Sequence, residues 1–344
     1  MEKRRCPVEF CKSLTMSDTT QKTFGVDLLN LDCQQEADRI CASLREIVSR
    51  RLRKKGIVVA ISGGIDSSVV AALSVRALGK EKVFGLMMPE RDSAIETLDL
   101  SRGLAEHLGI QHAHEDISSI LEALGCYRRR DEAIRRVVPD YGPGCRSKIV
   151  LPPVVEEQYR LFKVVVEYPD GRLTETPLNL GAYLGVVAAT NFKQRTRKML
   201  EYYHADLLNY AVAGTPNRLE YDQGFFVKLG DGAADVKPIA HLYKTQVYRM
   251  GDFLGLPENI RKRLPTTDTY SLPQSQEEFY FSLPYDKMDL VLYAKNNGFS
   301  AAEVGRGLGL TAEQVDLIFR DIESKRRMAH YLHAGPVLVE EVHG

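Results

Sequence analysis

The sequence predicts an α/β fold: a doubly wound parallel sheet with a loop-and-hairpin insertion and a helical C-terminal part. Three observations carry this. Short apolar runs at 57–61, 83–88 and 110–114 alternate with helix-length segments at 67–78 and 95–108, the rhythm of βαβ units. The first run leads directly into Ser62-Gly63-Gly64-Ile65-Asp66-Ser67, a glycine turn between a strand and a helix. After residue 240 the patterned segments, near 242–255, 285–297 and 311–331, are helical.

In order along the chain, residues 1–15 show no periodic pattern, so 1–25 is expected to be an N-terminal extension, with Met16 an alternative start to Met1. Its basic residues precede no apolar run, unlike a secretory signal. In 31–54, Cys33, Ala37, Ile40, Leu44 and Ile47 recur at helical spacing and the basic residues 50–55 follow, which suits a helix C-terminus. The strand at 57–61 and its loop lead into a helix that stops at Gly79, a usual residue past a helix end. The strand at 83–88 is closed by Pro89, the helix at 95–108 ends near Gly109, and His112 and His114 on the third strand read as structural or surface residues. Residues 126–160, with Arg128-Arg129-Arg130 and several Pro and Gly, read as a loop-rich insertion. A hairpin follows, with Pro169-Asp170-Gly171 as its turn, so the whole insertion spans 126–177. A long helix at 178–203, a strand at 208–213 and a loop at 214–240 complete the sheet unit. One domain over 26–335 and a tail at 336–344 are expected.

The 344 residues carry 46 Lys plus Arg and 46 Asp plus Glu. That balance favours neither nucleic acid nor an acidic membrane surface, and no apolar stretch is long enough to span a bilayer. The six cysteines form no C-x-x-C pair and have no zinc-finger spacing, and the eight histidines include no H-E-x-x-H. Free thiols in a reducing cytosol are the expectation, hence a cytoplasmic protein.

The loop itself points to chemistry. A glycine turn entering a helix leaves backbone N–H groups aimed outward where the helix dipole favours an anion. Ser62, Ser67 and Ser68 add hydroxyls, and Asp66 can hold a divalent cation that bridges phosphates. The common phosphate loop needs a lysine after its last glycine, and none stands here.

Ser62, Gly63, Gly64, Ile65, Asp66 and Ser67 resemble the SGGxDS loop of the N-type ATP pyrophosphatases, the PP-loop family, of the adenine-nucleotide alpha hydrolase fold. Further motifs resemble the ammonia-dependent NAD synthetases within it. They are Gly214-Thr215-Pro216-Asn217-Arg218-Leu219-Glu220, the run 224–235, Leu242-Tyr243-Lys244-Thr245-Gln246-Val247, Pro265-Thr266, and Asn191-Phe192-Lys193-Gln194-Arg195-Thr196-Arg197. The resemblance implies ATP contacts at the first loop (Ser62 to Ser68), Met88, Arg195, Thr215, Lys244 and Thr266. It implies a magnesium ion on Asp66 and Glu220, substrate contacts at Lys228, Asp231 and Asp235, and catalytic roles for Asp66, Lys244 and Lys228. Lys244 would supply the phosphate-binding lysine that the loop lacks. The implied reaction adenylates the nicotinate carboxylate of deamido-NAD with ATP and amidates it with ammonia, giving NAD and AMP. Without an amidase unit, free ammonia is the expected donor unless a separate partner delivers it. A homodimer is expected from the same resemblance.

Three features depart from the family pattern: Gln194, the stretch 268–279, where only an acidic pair at Glu277-Glu278 survives of the motif, and the insertion. They keep open an alternative, a diverged PP-loop amidoligase acting on a different carboxylate. A tRNA-modifying thiolase fits poorly, lacking cysteine spacing and a basic face. A catalytically dead nucleotide sensor fits poorly too, with Asp66, Glu220 and Lys244 all present.

Overall fold

The structure is a computed structural model, and it describes residues 24–152, 161–265, 269–281 and 283–342. Met16, Cys6, Cys11 and Thr266 lie outside those residues. Strand β1 (Ile57–Ala60) is rich in β-branched residues, which suit extended backbone. It is sandwiched between two apolar layers: Ile57 and Val59 face one core and Val58 the other, the period-2 alternation of a strand covered on both faces. β1 pairs in parallel with β2 (Val83–Met87), and β2 with β3 (Gln111–His114). On its other side β1 pairs in parallel with the strand Ala211–Ala213, which follows three further strands in sequence.

Those three are β4 (Arg146–Val150), β5 (Lys163–Glu167) and β6 (Leu173–Pro177), an antiparallel sheet of their own with Ser147 opposite Val166 and Val164 opposite Thr176. The strand beside β1 is therefore β7 (Ala211–Ala213), and the parallel sheet has the order β3-β2-β1-β7. The order reverses at β1, and in such sheets ligands lie beyond the carboxyl ends of the strands at that reversal.

On one face pack α1 (Cys33–Glu46), α2 (Ile65–Leu78) and α3 (Ile95–Leu108); on the other lie α4 (Ser118–Ala123), α5 (Cys126–Arg135) and α6 (Leu180–Leu208). The remaining helices are α7 (Arg218–Gln223), α8 (Lys244–Phe253), α9 (Glu258–Arg261), α10 (Tyr285–Asn296), α11 (Ala301–Leu308) and α12 (Ala312–His333). α8 joins the α1–α2 core, while α10, α11 and α12 close a second core around Met288, Val291, Val304 and Ile318.

The predicted strands and long helices are all present, with shifted ends. α1 continues as a π turn over Ile47–Arg51, and α2 begins at Ile65 rather than at residue 67. The 126–160 stretch differs from a loop-rich reading. Its first ten residues are α5, and Arg130 there is 4% exposed because Asp92 lies beneath it. The hairpin is present as β5 and β6, with β4 added as a third strand. The 214–240 loop contains α7, whose N-cap Asn217 and Glu220 form a reciprocal capping box. Cys33, Cys41, Cys126 and Cys145 are free thiols. No helix among the described residues is long and apolar enough to cross a membrane.

Candidate active site

The loop after β1 enters α2 through Gly64, which has extended backbone and no side-chain cap. The first-turn N–H groups of α2 thus have no side-chain acceptor at the cap and are free for an anion. Gly63 has φ +68°, and a Cβ there would stand 3.0 Å from both Leu100 Cβ and Thr97 O. Glycine is required on both counts. Ser67 and Ser68 hydroxyls donate to Gly64 O at 3.1 and 2.8 Å, and Ser67 Oγ accepts from Ser62 N at 3.2 Å. The serines therefore brace the turn before any ligand arrives.

Asp66, one residue into α2, gathers the next groups. Its Oδ1 accepts from Asn217 Nδ2 at 3.0 Å, and its Oδ2 pairs with Lys244 Nζ at the start of α8. Glu220 Oε2 accepts from Asn217 N at 3.2 Å and Oε1 from Gln276 Nε2 at 3.0 Å. Burial and then the neighbouring Asp66 carboxylate push the Glu220 carboxyl up to about 8, against the pull of Lys244. Lys244 is 2% exposed. Burial disfavours its charge, but Asp66 and Glu220 more than offset this and its pKa rises. Asp289, fully buried on α10, accepts from Lys244 N at 3.2 Å and Thr245 N at 2.7 Å. It accepts from the first N–H groups of α8 and fixes the backbone that carries Lys244, while burial pushes its carboxyl up to about 7. Two partly buried oxygen-donor carboxylates whose charges repel suit a hard divalent cation that keeps water and phosphate oxygens as its other ligands.

These groups line one cavity of about 720 Å³ at the carboxyl ends of β1, β2 and β7. Ser62, Gly64, Ile65, Asp66, Ser67, Met88, Arg195, Thr215, Lys228, Asp231 and Lys244 all line it. Gly63 and Ser68 support the loop from behind, through the contacts above. Arg195 Nε donates to Lys228 O at 3.3 Å, and Arg197 Nε to Met88 O at 3.1 Å, so both arginines reach the cavity wall. Lys228 Nζ donates to Tyr331 O and Ala334 O, both at 2.8 Å, at the C-terminus of α12. Asp231 Oδ1 accepts from Val227 N at 2.7 Å, and burial raises its pKa. Asp235 stands apart from the cavity lining, accepting from Val212 N at 2.8 Å and Tyr202 OH at 3.2 Å beside β7.

Sequence reading missed several groups here. Lys198 and Glu201 form a buried pair at 2.6 Å on the cavity wall, and burial raises the Glu201 pKa. Their i, i+3 spacing on one helix was the available signal. Lys193 reaches Glu90 Oε1, Asp92 Oδ2 and Thr269 O, each at 2.8 Å. Nothing local in the sequence announces that cluster. Phe162 and Tyr183, stacked at 4.4 Å, bring the inserted sheet to the cavity.

A glycine-rich loop at the reversal point of a parallel sheet, with two carboxylates and a buried lysine arriving from distant segments, defines a PP-loop ATP pyrophosphatase site. The NAD synthase family model matches residues 36–137 and 176–329. The NH(3)-dependent NAD(+) synthetase of Rhizobium meliloti is 59% identical over 326 residues, 94% of this chain and 97% of that protein. The protein of the same name from Mesorhizobium japonicum is 58% identical, over 92% of this chain and 99% of its own length. The solved NH3-dependent NAD synthetase of Campylobacter jejuni shares the fold, with a TM-score of 0.59 at 24% identity, over 90% of this chain and 100% of that one. The chain belongs to the NAD synthase family.

Proposed function

We propose that this protein is an ammonia-dependent NAD synthetase that uses ATP to convert deamido-NAD into NAD, AMP and pyrophosphate. The observation that carries the reading is the meeting of Asp66 and Lys244, 178 residues apart, beside the glycine loop, in a chain whose near-full-length relatives bear that name.

The chemistry has two displacements. A carboxylate oxygen of the acceptor attacks the α-phosphorus of ATP, the bond to the bridging oxygen breaks, and pyrophosphate leaves with that electron pair. Ammonia then attacks the acyl carbon, AMP departs, and a proton is lost to form the amide. The loop N–H groups and the Ser62 and Ser67 hydroxyls bind the phosphates, while Lys244 offsets charge growing on the departing pyrophosphate. Asp66 and Glu220 would hold a magnesium ion, which when bound neutralises phosphate charge. Met88, Arg195, Thr215 and Thr266 are assigned to ATP. Lys228, Asp231 and Asp235 are assigned to the acceptor, Asp235 by placing the segment rather than by lining the cavity. The alternative acceptor carboxylate has no specific support.

The test is purified protein with ATP, Mg²⁺, ammonium and deamido-NAD. NAD and AMP should form in equal amounts, and omission of deamido-NAD should stop AMP release. AMP release driven by another carboxylic acid, with no NAD formed, would sink the reading.

We also assign a homodimer. Leu180 and Leu184 near the start of α6, and Met199, Tyr203 and Leu207 near its end, are 54–72% exposed at i, i+4 spacing, apolar surface that water disfavours. Leu229, Met328 and Tyr331 are also exposed, at the cavity lining. Sedimentation should give twice the chain mass, and Leu184→Glu with Leu207→Glu should give the monomer. A wild-type monomer at micromolar concentration would contradict this assignment.

A further inference from the structure

Two stretches set this chain apart from the family pattern, and they are in contact. Residues 138–175 lie outside the family match and contain the sheet β4–β6. The other is the diverged stretch at 268–279, described from Thr269 onward. Ser147 N donates to Ser271 Oγ at 2.9 Å, Leu272 N to Ser147 O at 3.2 Å, and Lys148 Nζ to Pro273 O at 3.3 Å. Gln274, 2% exposed, donates through Nε2 to Ile149 O. Three consecutive residues of β4 thus hold four consecutive residues of the diverged stretch. Tyr270, 4% exposed, is buried in the same core as Ile149, Val164 and Val166.

The held segment reaches the cavity beyond both ends of this seam. Upstream, Lys193 holds Thr269 O at 2.8 Å. Downstream, Gln276 reaches Glu220, and the rings of Phe279, Tyr280 and Phe281 lie 4.9–5.8 Å from the ring of Phe225. Phe225 belongs to the 224–235 run, whose Lys228, Asp231 and Asp235 are assigned above to the acceptor.

We propose that the inserted sheet is a positioning element of the active site: β4 clamps residues 271–274 and so presets the aromatic wall, Tyr270 to Tyr280, against which the acceptor lies. This rests on the synthetase reading for the identity of the acceptor. Residues 269–275 have no helix or strand of their own, so without the clamp their ordering entropy would be charged to each binding event. The ring contacts of the clamped wall fall on Phe225 and its aromatic neighbours, and Gln276 bonds Glu220. Among the described residues it makes no hydrogen bond to the Ser62–Ser68 loop. The larger effect is therefore expected on acceptor binding and the smaller on ATP, which the segment meets through Glu220.

The test uses the full chain with Ser271→Ala, Gln274→Ala, both together, and Ser271→Thr, which keeps the hydroxyl. The readouts are KM for deamido-NAD, KM for ATP, and the rate of proteolytic cleavage within residues 269–281. The double variant should raise KM for deamido-NAD about tenfold, roughly 1.4 kcal/mol, leave KM for ATP within about twofold, and speed cleavage. Ser271→Thr should behave as wild type. If the double variant fails to fold, Ser271→Ala alone should show the same pattern at smaller size. An unchanged KM for deamido-NAD, or an equal rise in both KM values, overturns the proposal. If the wild type does not turn over deamido-NAD the synthetase reading fails separately. Cleavage still decides the clamp: faster cleavage supports it and an unchanged rate rejects it.

Discussion

Asp66→Asn should lower kcat by at least about 10²–10³, the range seen when one charge-stabilising group is removed from a preorganised site, while leaving the fold intact. The two halves of that expectation come from one charge balance. In the wild type the Asp66 carboxylate and the Lys244 ammonium meet Glu220, whose pKa is raised by burial and by Asp66. The substitution removes the Asp66 charge, and with it part of what raises the Glu220 pKa. Glu220 can then ionise and balance Lys244, so no unpaired charge is buried and the melting temperature should move by only a few degrees. The Asn217 bond to Oδ1 survives in the amide, whereas the Lys244 bond to Oδ2 is lost because an amide nitrogen only donates. What is lost is an anionic oxygen facing the phosphates, which Glu220, already tied to Asn217 N and Gln276, does not replace. Single-turnover AMP release and thermal melting measure the two halves independently. A variant with more than about a tenth of wild-type kcat, against the expected range, would remove Asp66 from the catalytic machinery.

The parts of this site that were legible in the sequence are those whose cause is local. The β1–loop–α2 unit needs an apolar run, a glycine with positive φ, and a helix start, all within residues 57–78. The capping boxes at Asn217, Ser300 and Thr311 are equally local, and attention to that four-residue pattern would have located α7, α11 and α12 more closely. Strand β4 was hidden because Arg-Ser-Lys-Ile-Val becomes a strand through pairing with β5, not through its own propensity. Arg130 reads as part of a loop-rich insertion because its partner, Asp92, stands 38 residues away. Lys193 is the extreme case, since its acceptors are 76, 101 and 103 residues distant. The ion-pair partners of a buried lysine follow from topology, which composition does not encode.

Lys193→Met should destabilise the protein by about 3–5 kcal/mol, the cost of breaking a buried pair from one side. Lys193 is 1% exposed and spends its three donors on Glu90, Asp92 and Thr269 O. Arg130 shares Asp92 at 2.6 Å, and Tyr127 OH donates to Glu90 Oε2 at 2.8 Å. Methionine fills much of the lysine stem's volume, so packing is nearly kept and the loss is electrostatic. With Lys193 gone, Glu90 and Asp92 face Arg130 with one negative charge in excess. Glu90→Gln in the same chain removes that excess and should recover at least half of the loss. At the size of this chain, 3–5 kcal/mol corresponds to a melting temperature lower by about 4–7 °C. The effect should depend on pH in a defined direction. Burial favours the neutral acid of Asp92, but Lys193 and Arg130 outweigh it and hold its pKa below the ordinary 3.8. Its contribution is therefore fully present above 3.8 and is lost as the pH falls through the lower folded value. The gap between wild type and variant should be widest near neutrality and narrow in acid below 3.8. Equal melting temperatures at pH 7, or a gap that widens in acid, would show that the cluster is not held by its charges.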